Sequence, residues 1–199
     1  AFGARGKVQV AWYDTGRETI PLTEQQPFIA DFIPETGLRV NRKVDVFTAR
    51  ITSDANGGNV QVDAGDGDVS VAGNIDASGS LDGGNVSVVG GSVTQEASST
   101  VDVSGGGSGG TAAMDAVNKL EVSGIVEAGG SFGDGGNVDL TGREILIQDT
   151  ASVAADGRFD GGVVRIGGDF QGRDTGLREA DSTTVVEGAS ISVDSELGN

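Results

Sequence analysis

Apolar residues along most of the chain recur in short alternating groups about every 26 residues. Glycine pairs mark this interval in the phrases ANGGNVQV, SLDGGNVSV, GDGGNVDL and FDGGVVRI. The first glycines of these pairs, with the glycine of SGGTAAM that falls on the same interval, are Gly57, Gly83, Gly109, Gly135 and Gly161. A fixed period of this length indicates stacked structural repeats.

Three apolar clusters in each repeat predict three short strands. The first cluster follows each glycine pair and comprises Val60, Val62, Val86, Val88, Ala112, Met114, Val138, Leu140, Val164 and Ile166. The middle and late clusters include Val69, Val71, Val93, Leu120, Val122, Ile145 and Ile147, then Ile75, Ala77, Val101, Val103, Val126, Ala128, Val153 and Ala155. Residues between the members of the first cluster are mostly polar, as in strands with one buried face.

None of these short strands can bury its apolar side alone, so successive repeats must stack to form an interior. The pattern therefore predicts an all-β fold, a right-handed parallel β-helix with one coil for about 26 residues. Adjacent coils are expected about 4.8 Å apart. The glycine pairs fall at the corner between the third strand of one coil and the first strand of the next. We expect positive φ angles there, which glycine adopts without a steric clash.

The periodic pattern divides the chain into two regions. Residues 1–43 do not follow it, contain all three prolines and are predicted to form an irregular cap or leading segment, with a separate recognition element as the alternative. Residues 44–199 form the predicted β-helix. Its last apolar cluster arrives twelve residues late, which predicts an excursion loop at about 169–182.

The excursion loop is the first candidate binding site, because loops that leave a rigid scaffold often carry binding surfaces. Its candidate residues are Asp169, Arg173, Asp174, Arg178 and Glu179. Mixed charges at this density are more commonly a solvated surface, and both interpretations stay open.

A second candidate site is the segment VDAGDGDVSV, which offers Asp63, Asp66 and Asp68 as hard oxygen ligands for calcium. The segment does not match the nonapeptide pattern of calcium-binding β-rolls, and a turn rich in glycine and aspartate is the commoner explanation. No other cofactor is expected.

Composition narrows the classes of partner. The formal net charge of -17 repels phosphate backbones and anionic lipid surfaces, so neither nucleic acid nor a membrane surface is an expected partner. No apolar stretch approaches the roughly 20 residues that a membrane-spanning helix needs. The chain contains neither cysteine nor histidine, which excludes disulfides and the usual nucleophilic triads.

The runs GGNVSVVGGSVTQEASSTVDVSGGG, DTASVAADGRFDGGVVRIGGDFQG and TTVVEGASISVDS resemble the repeats of filamentous haemagglutinin-like exoproteins, large bacterial adhesins exported by two-partner secretion. The resemblance implies a secreted, cell-surface rod with an adhesive role, a glycan or protein receptor, and an outer-membrane transporter for the parent protein. The family's secretion domain carries an NPN motif, which this chain lacks. The resemblance therefore implies a segment of the shaft.

Catalysis is the alternative function, because some parallel β-helices act on polysaccharides and a fold does not determine a function. A sugar-cleaving site needs two carboxylates, or a carboxylate and a base, on neighbouring coils. Asp139 and Arg165 occupy equivalent outward positions on adjacent coils, but a surface ion pair worth about 0 to 1 kcal/mol is the commoner explanation. We therefore expect no enzymatic activity. A polysaccharide-binding module or enzyme remains the second hypothesis.

Overall fold

A computed structural model describes residues 56–169 and 176–197, together with the backbone of three earlier strands. In these ranges the chain contains fourteen β-strands and no helix. The strands are β1 (Val8–Tyr13), β2 (Leu38–Arg39), β3 (Val44–Ile51), β4 (Asn59–Asp63), β5 (Asp68–Asp76), β6 (Asn85–Gln95), β7 (Thr100–Asp102), β8 (Thr111–Val122), β9 (Ile125–Glu127), β10 (Asn137–Ile147), β11 (Ser152–Ala154), β12 (Val163–Ile166), β13 (Ser182–Val185) and β14 (Ser190–Ser192).

The strands form the predicted stack of parallel coils. Val86 of β6 pairs with Ala112 of β8, which pairs with Val138 of β10, which pairs with Val164 of β12. Each step along this row advances 26 residues in sequence, so the glycine interval is the length of one coil. The prediction of a β-solenoid is confirmed, with about four turns.

The three predicted apolar clusters are all present, but the first two lie on one long strand in the central coils. β6, β8 and β10 each continue from the first cluster through the second, with a register shift between Gly90 and Ser92 and another between Gly142 and Glu144. The third cluster lies on the short strands β7, β9 and β11. The chain bends at the register shift without leaving the sheet, so hydrogen bonding between coils continues on both sides of the bend.

The core is a column of aliphatic side chains inside the coils. Every predicted core residue between Val60 and Ala155 has an exposed fraction of 5% or less. Burial of a valine, leucine or isoleucine side chain contributes about 1.5 to 3 kcal/mol, and each coil supplies several of them. Val164 and Ile166 in the last coil are partly buried and pack against this core. Stacking between coils therefore holds the fold together, as the period predicted.

Strands from the N-terminal region lie against the first coils. β2 pairs in parallel with β4, and β3 pairs in parallel with β5. β3 therefore has two neighbours in the sheet: β5 on one side and β1, which pairs with it antiparallel, on the other. Parallel pairing with the coils thus begins at Leu38 among the described strands, and the division of the chain at residue 43 stays a prediction. An antiparallel strand on an otherwise open edge is what a cap would supply. The cap itself remains a prediction.

The chain leaves the stack after β12 and returns at β13, which pairs with β10 at Glu144 and Ser182. From there the coil resumes, and Val153 of β11 pairs with Ile191 of β14. These two residues are separated by the coil period and the twelve additional residues of the excursion loop. The loop therefore interrupts one coil between its first and second apolar clusters.

Candidate functional site

The five corner glycines do not have the positive φ angles expected from the sequence. Positive φ occurs instead at Gly65, Gly167, Gly168 and Gly188. At each corner glycine, an added Cβ would lie closer to backbone atoms of a neighbouring segment than real Cβ atoms do. The expected reason for glycine was therefore wrong: close approach between backbones, rather than φ, requires it at Gly57, Gly83, Gly109, Gly135 and Gly161.

Each glycine pair closes a loop, which we call a corner loop, at the end of a coil. The amide of Gly136 donates a hydrogen bond to the carbonyl oxygen of Ala128 across one such loop, with an N–O distance of 2.7 Å. The amide of Gly135 donates to Asp160 in the next coil at 2.9 Å. The four described corner loops that a glycine pair closes span residues 78–83, 104–109, 129–135 and 156–161. Residues 194–197, where Ser195 pairs with Gly157, occupy the same place in the last coil and are counted as the fifth corner loop. Bonds within and between coils thus define the shape of this corner.

The described part of the excursion loop is attached to the solenoid by Arg178. Its guanidinium donates two hydrogen bonds to Asp115 on β8, at 3.0 Å from Nε and 3.3 Å from Nη2. Thr141 on β10 donates a third hydrogen bond to the same carboxylate at 2.9 Å. The hydrogen bonds from Arg178 to Asp115 raise the pKa of the guanidinium. Arg178 therefore connects the loop to a strand two coils away.

Of the other candidate residues of this loop, the structure describes Asp169 and Glu179. The amide of Asp169 lies 3.4 Å from the carboxylate of Glu179, which also lies against Gly168. Arg173 and Asp174 lie outside the described residues. The guanidinium of Arg178 forms an ion pair with Asp115 within the chain and so attaches the loop to the solenoid. Partner binding by the loop remains a prediction.

The proposed calcium ligands are not assembled into a metal site. Asp63 accepts a hydrogen bond from the amide of Gly65 at 2.9 Å, which forms a tight turn closed by its own side chain. Asp66 and Asp68 are exposed. Within residues 56–169 and 176–197, no group of three or more acidic, histidine or cysteine side chains is arranged to hold a metal ion. In the same ranges, no helix has the length and hydropathy needed to cross a bilayer.

Asp139 and Arg165 form an ion pair that is more buried than the predicted surface pair. Arg165 donates from Nε and Nη2 to the two carboxylate oxygens, at 2.5 Å and 3.0 Å. The Asp139 side chain is only 12% exposed and that of Arg165 is 31% exposed. Two charge-assisted bonds to a desolvated carboxylate stabilise more than an exposed pair does. The pair therefore joins β10 to β12 and has the geometry of a structural contact.

Two other carboxylates have shifted pKa values. Burial raises the pKa of Glu127 on β9, and Asp102, its register partner on β7, raises it further. Hydrogen bonds from Lys119 and Gln148 lower the pKa of Glu121 on β8. The two pKa shifts have opposite directions because burial and a neighbouring acid disfavour the ionised form of Glu127, whereas hydrogen-bond donors favour the ionised form of Glu121.

A surface that the sequence reasoning missed lies on the corner loops. Four large apolar side chains point into solvent from four of these loops and form what we call the corner stripe: Leu81 (58% exposed), Phe132 (68%), Phe159 (53%) and Leu197 (61%). The loop of residues 104–109 has no apolar side chain and contributes Gly107 to the same row. Leu81 and Phe159 immediately precede Asp82 and Asp160 in the repeated phrases, so the signal was present in the sequence.

Hydrogen bonds between the loop backbones hold the corner stripe in a row. Gly107 donates to Leu81, and Phe132 donates to Gly107 at 3.3 Å. Phe159 donates to Gly133 at 3.4 Å, and Leu197 donates to Arg158 at 2.9 Å. The stripe is therefore part of the ordered solenoid wall.

Beside the corner stripe, an open cleft of about 370 Å³ lies on four of the same loops. We call it the acidic cleft. Its lining residues are Ser104, Gly129, Gly130, Ser131, Asp156, Gly157, Asp194, Ser195 and Glu196. Asp156 accepts hydrogen bonds from the Ser192 hydroxyl at 2.5 Å and the Asp194 amide at 2.7 Å. Asp156 thus orders the cleft wall, while Asp194 and Glu196 contribute further negative charge.

Comparison with known proteins shows a likeness in fold. No protein-family model matches the chain, and no curated protein matches it. The crystal structure of the HMW1 secretion domain from Haemophilus influenzae is similar, with a TM-score of 0.63 and 19% sequence identity. The match covers 75% of this chain and 45% of that one, so the chain spans less than half the length of that structure. At this identity the likeness establishes the β-solenoid fold.

Proposed function

We propose that this chain is a non-catalytic structural and adhesive segment of a secreted bacterial surface exoprotein. The observation that carries the proposal is the continuous parallel solenoid, in which a column of aliphatic side chains supports an exposed apolar stripe. A stack of this kind is stiff because every coil is hydrogen-bonded to its neighbours. It can therefore hold a binding surface at a fixed position on a long protein.

A likeness in fold and the resemblance of the repeated phrases support the secreted part of the proposal. The solenoid fold is shared with a secretion domain. The repeated phrases resemble those of filamentous haemagglutinin-like exoproteins, which implies export through an outer-membrane two-partner transporter. The absence of an NPN sequence favours a shaft segment of such a protein over its secretion domain.

Adhesion and catalysis can be separated on the same purified chain. The expected result is retention on a glycan array or on host-cell extracellular protein, with no release of product in lyase and hydrolase assays on the retained polysaccharides. Fusion of the chain behind a two-partner secretion domain, expressed with its transporter, tests compatibility with export. We expect the fusion to reach the medium only when the transporter is present. Release of sugar fragments would contradict the proposal.

The alternative, an enzyme acting on polysaccharide, is favoured by one observation. The acidic cleft contains three carboxylates on neighbouring coils, and paired carboxylates are the groups that glycoside hydrolysis requires. Asp194→Asn and Glu196→Gln are the variants that test this alternative. A turnover that both variants abolish would establish it.

A further inference from the structure

We propose that the corner stripe and the acidic cleft together form a docking surface for a basic polypeptide segment that carries apolar side chains. This inference rests on the proposed function, since it names the surface and the class of partner that an adhesive segment would use. The occupant is a protein segment rich in arginine or lysine.

The first argument is the exposure of the corner stripe. Phe132 and Phe159 leave more than half of their surface in water, although the folded chain buries most of its large apolar side chains between residues 60 and 155. A row of exposed large apolar side chains on an ordered wall is typical of an interaction site. Because the backbone ladder already orders the stripe, binding costs little conformational entropy.

Charge is the second argument. The five corner loops carry six carboxylates and one guanidinium: Asp82, Asp134, Asp156, Asp160, Asp194, Glu196 and Arg158. The whole chain has the same bias, with a net charge of -17. Such a surface attracts a basic partner and repels an acidic one. A second copy of this chain carries the same negative charge and is therefore a poor occupant.

The third argument is that the chain itself already contains a contact between an arginine and a phenylalanine of the corner stripe. The guanidinium carbon of Arg158 lies 5.5 Å from the centre of the Phe132 ring. This is the geometry of a cation–π interaction. Among the described residues, no cation lies over the ring of Phe159. An arginine of the partner would stack on Phe159 as Arg158 does on Phe132, with its charge near Asp160.

The dimensions of the surface suit an extended segment. From Leu81 to Leu197 the stripe crosses four coil-to-coil steps, or about 19 Å at about 4.8 Å for each step. About six residues of extended chain cover that distance. Apolar side chains of the segment would contact the stripe, and alternate basic side chains would face the acidic cleft.

The test is a fluorescence anisotropy titration of the whole chain with a labelled synthetic peptide of repeated Arg-Ser-Leu-Ser. Two comparison peptides replace either the leucines by serine or the arginines by glutamate. We expect the first peptide to bind, the serine peptide to bind more weakly and the glutamate peptide not to bind. Raising the salt concentration should weaken binding, because exposed charges are screened.

Two sets of variants locate the site. The double variant Phe132→Ser and Phe159→Ser is expected to weaken binding about tenfold, because it removes the partner's cation–π contact with Phe159 and the apolar contact area of both rings. Its control is Val163→Ser, which changes an exposed apolar residue outside the stripe. Asp134→Asn with Asp160→Asn removes charge without changing shape, and Asp149→Asn is the matched control for that pair.

Several results would overturn the docking surface. Equal binding of the arginine and glutamate peptides would remove the role of charge, and unchanged affinity in both sets of variants would place binding elsewhere. Retention of a neutral glycan that the phenylalanine variants abolish would assign the stripe to carbohydrate. Self-association that those variants abolish would assign it to a second copy. Failure of the peptide test, with the chain still retained on cells, would overturn this inference while leaving the adhesive function in place.

Discussion

Substitution of Gly135 by alanine tests why glycine is required at the corners. A Cβ at this position would lie 2.5 Å from the amide nitrogen of Gly162 and 2.7 Å from the carbonyl carbon of Ala155. Those two groups are hydrogen-bonded to each other at 2.7 Å. The carbonyl oxygen of Ala155 would lie closer still to this Cβ. Ordinary contact begins at 3.4 Å, so the backbone would have to move by more than 0.9 Å, the difference between 2.5 Å and 3.4 Å.

The expected cost combines two effects. Overpacking of a tightly packed site costs about 1 to 3 kcal/mol. Weakening of the hydrogen bond from Gly162 to Ala155 adds about 1 kcal/mol. A loss of about 2 to 4 kcal/mol in the free energy of unfolding would lower the Tm by about 4 to 16 °C for a chain of this length. Thermal denaturation followed by circular dichroism measures the change.

Asparagine distinguishes the two explanations for the glycine. Asparagine tolerates the left-handed conformation but has a Cβ, so Gly135→Asn should destabilise at least as much as Gly135→Ala. Gly65, with a φ of 57°, is the matched control. There asparagine should be better tolerated than alanine, which costs about 1 to 2 kcal/mol in that conformation. Wild-type stability of Gly135→Asn would refute the close-approach explanation.

Three substitutions and one chelation experiment test the rest of the framework. Leu140→Ala should cost about 2 to 5 kcal/mol, measured by urea denaturation, because it leaves a cavity in the aliphatic column. Arg165→Gln should cost about 1 to 3 kcal/mol of stability, since it leaves the buried carboxylate of Asp139 without its partner. Arg143→Gln, in the exposed pair with Asp181, should cost less than about 1 kcal/mol, and equal effects would contradict this ranking. Glu127→Gln should raise the Tm at neutral pH. Because the pKa of Glu127 is raised in the folded state, its ionised form destabilises the fold. The Tm difference between the variant and the wild type should therefore shrink as the pH falls through that pKa, which lies above 4.5. The exposed Glu187→Gln is the control, and a Tm difference independent of pH would contradict the assignment. EDTA should leave the Tm unchanged, because no group of carboxylates among the described residues is arranged to hold a metal ion. A fall in Tm would support calcium binding.

The excursion loop shows where sequence reasoning stopped. Its existence was predictable, because the late arrival of Ile191 and Val193 in the period required additional residues. Its attachment was not. Arg178 and Asp115 are separated by 63 positions, and only the stacking of coils, which carries the loop back over β10, brings them together. The loop charges were therefore predicted as a group, whereas their pairing depends on the fold.

The corner shows a second limit. The glycines that recur every 26 residues identified the turn. Glycine is required either where φ is positive or where two backbone segments lie very close, and the sequence does not distinguish these two reasons. The sequence contains Phe132 and Phe159 in the same loops but does not show that their side chains lie in one row on the surface. A row exists only after each coil has been placed on the one before it.

The sequence by itself determined the fold class, the coil length and the buried residues. Alternation of apolar and polar residues marks the buried face of each strand, and the period gives the length of one coil. The tertiary structure alone decided which side chains share a surface: the corner stripe, the acidic cleft and the contact between Arg178 and Asp115. The physical reason is that neighbours in a solenoid are about one coil apart in sequence. Contacts between coils therefore depend on the register of stacking. A one-residue bulge can change this register, as the additional residue of β8 between Ala116 and Lys119 does opposite Gly142 and Glu144.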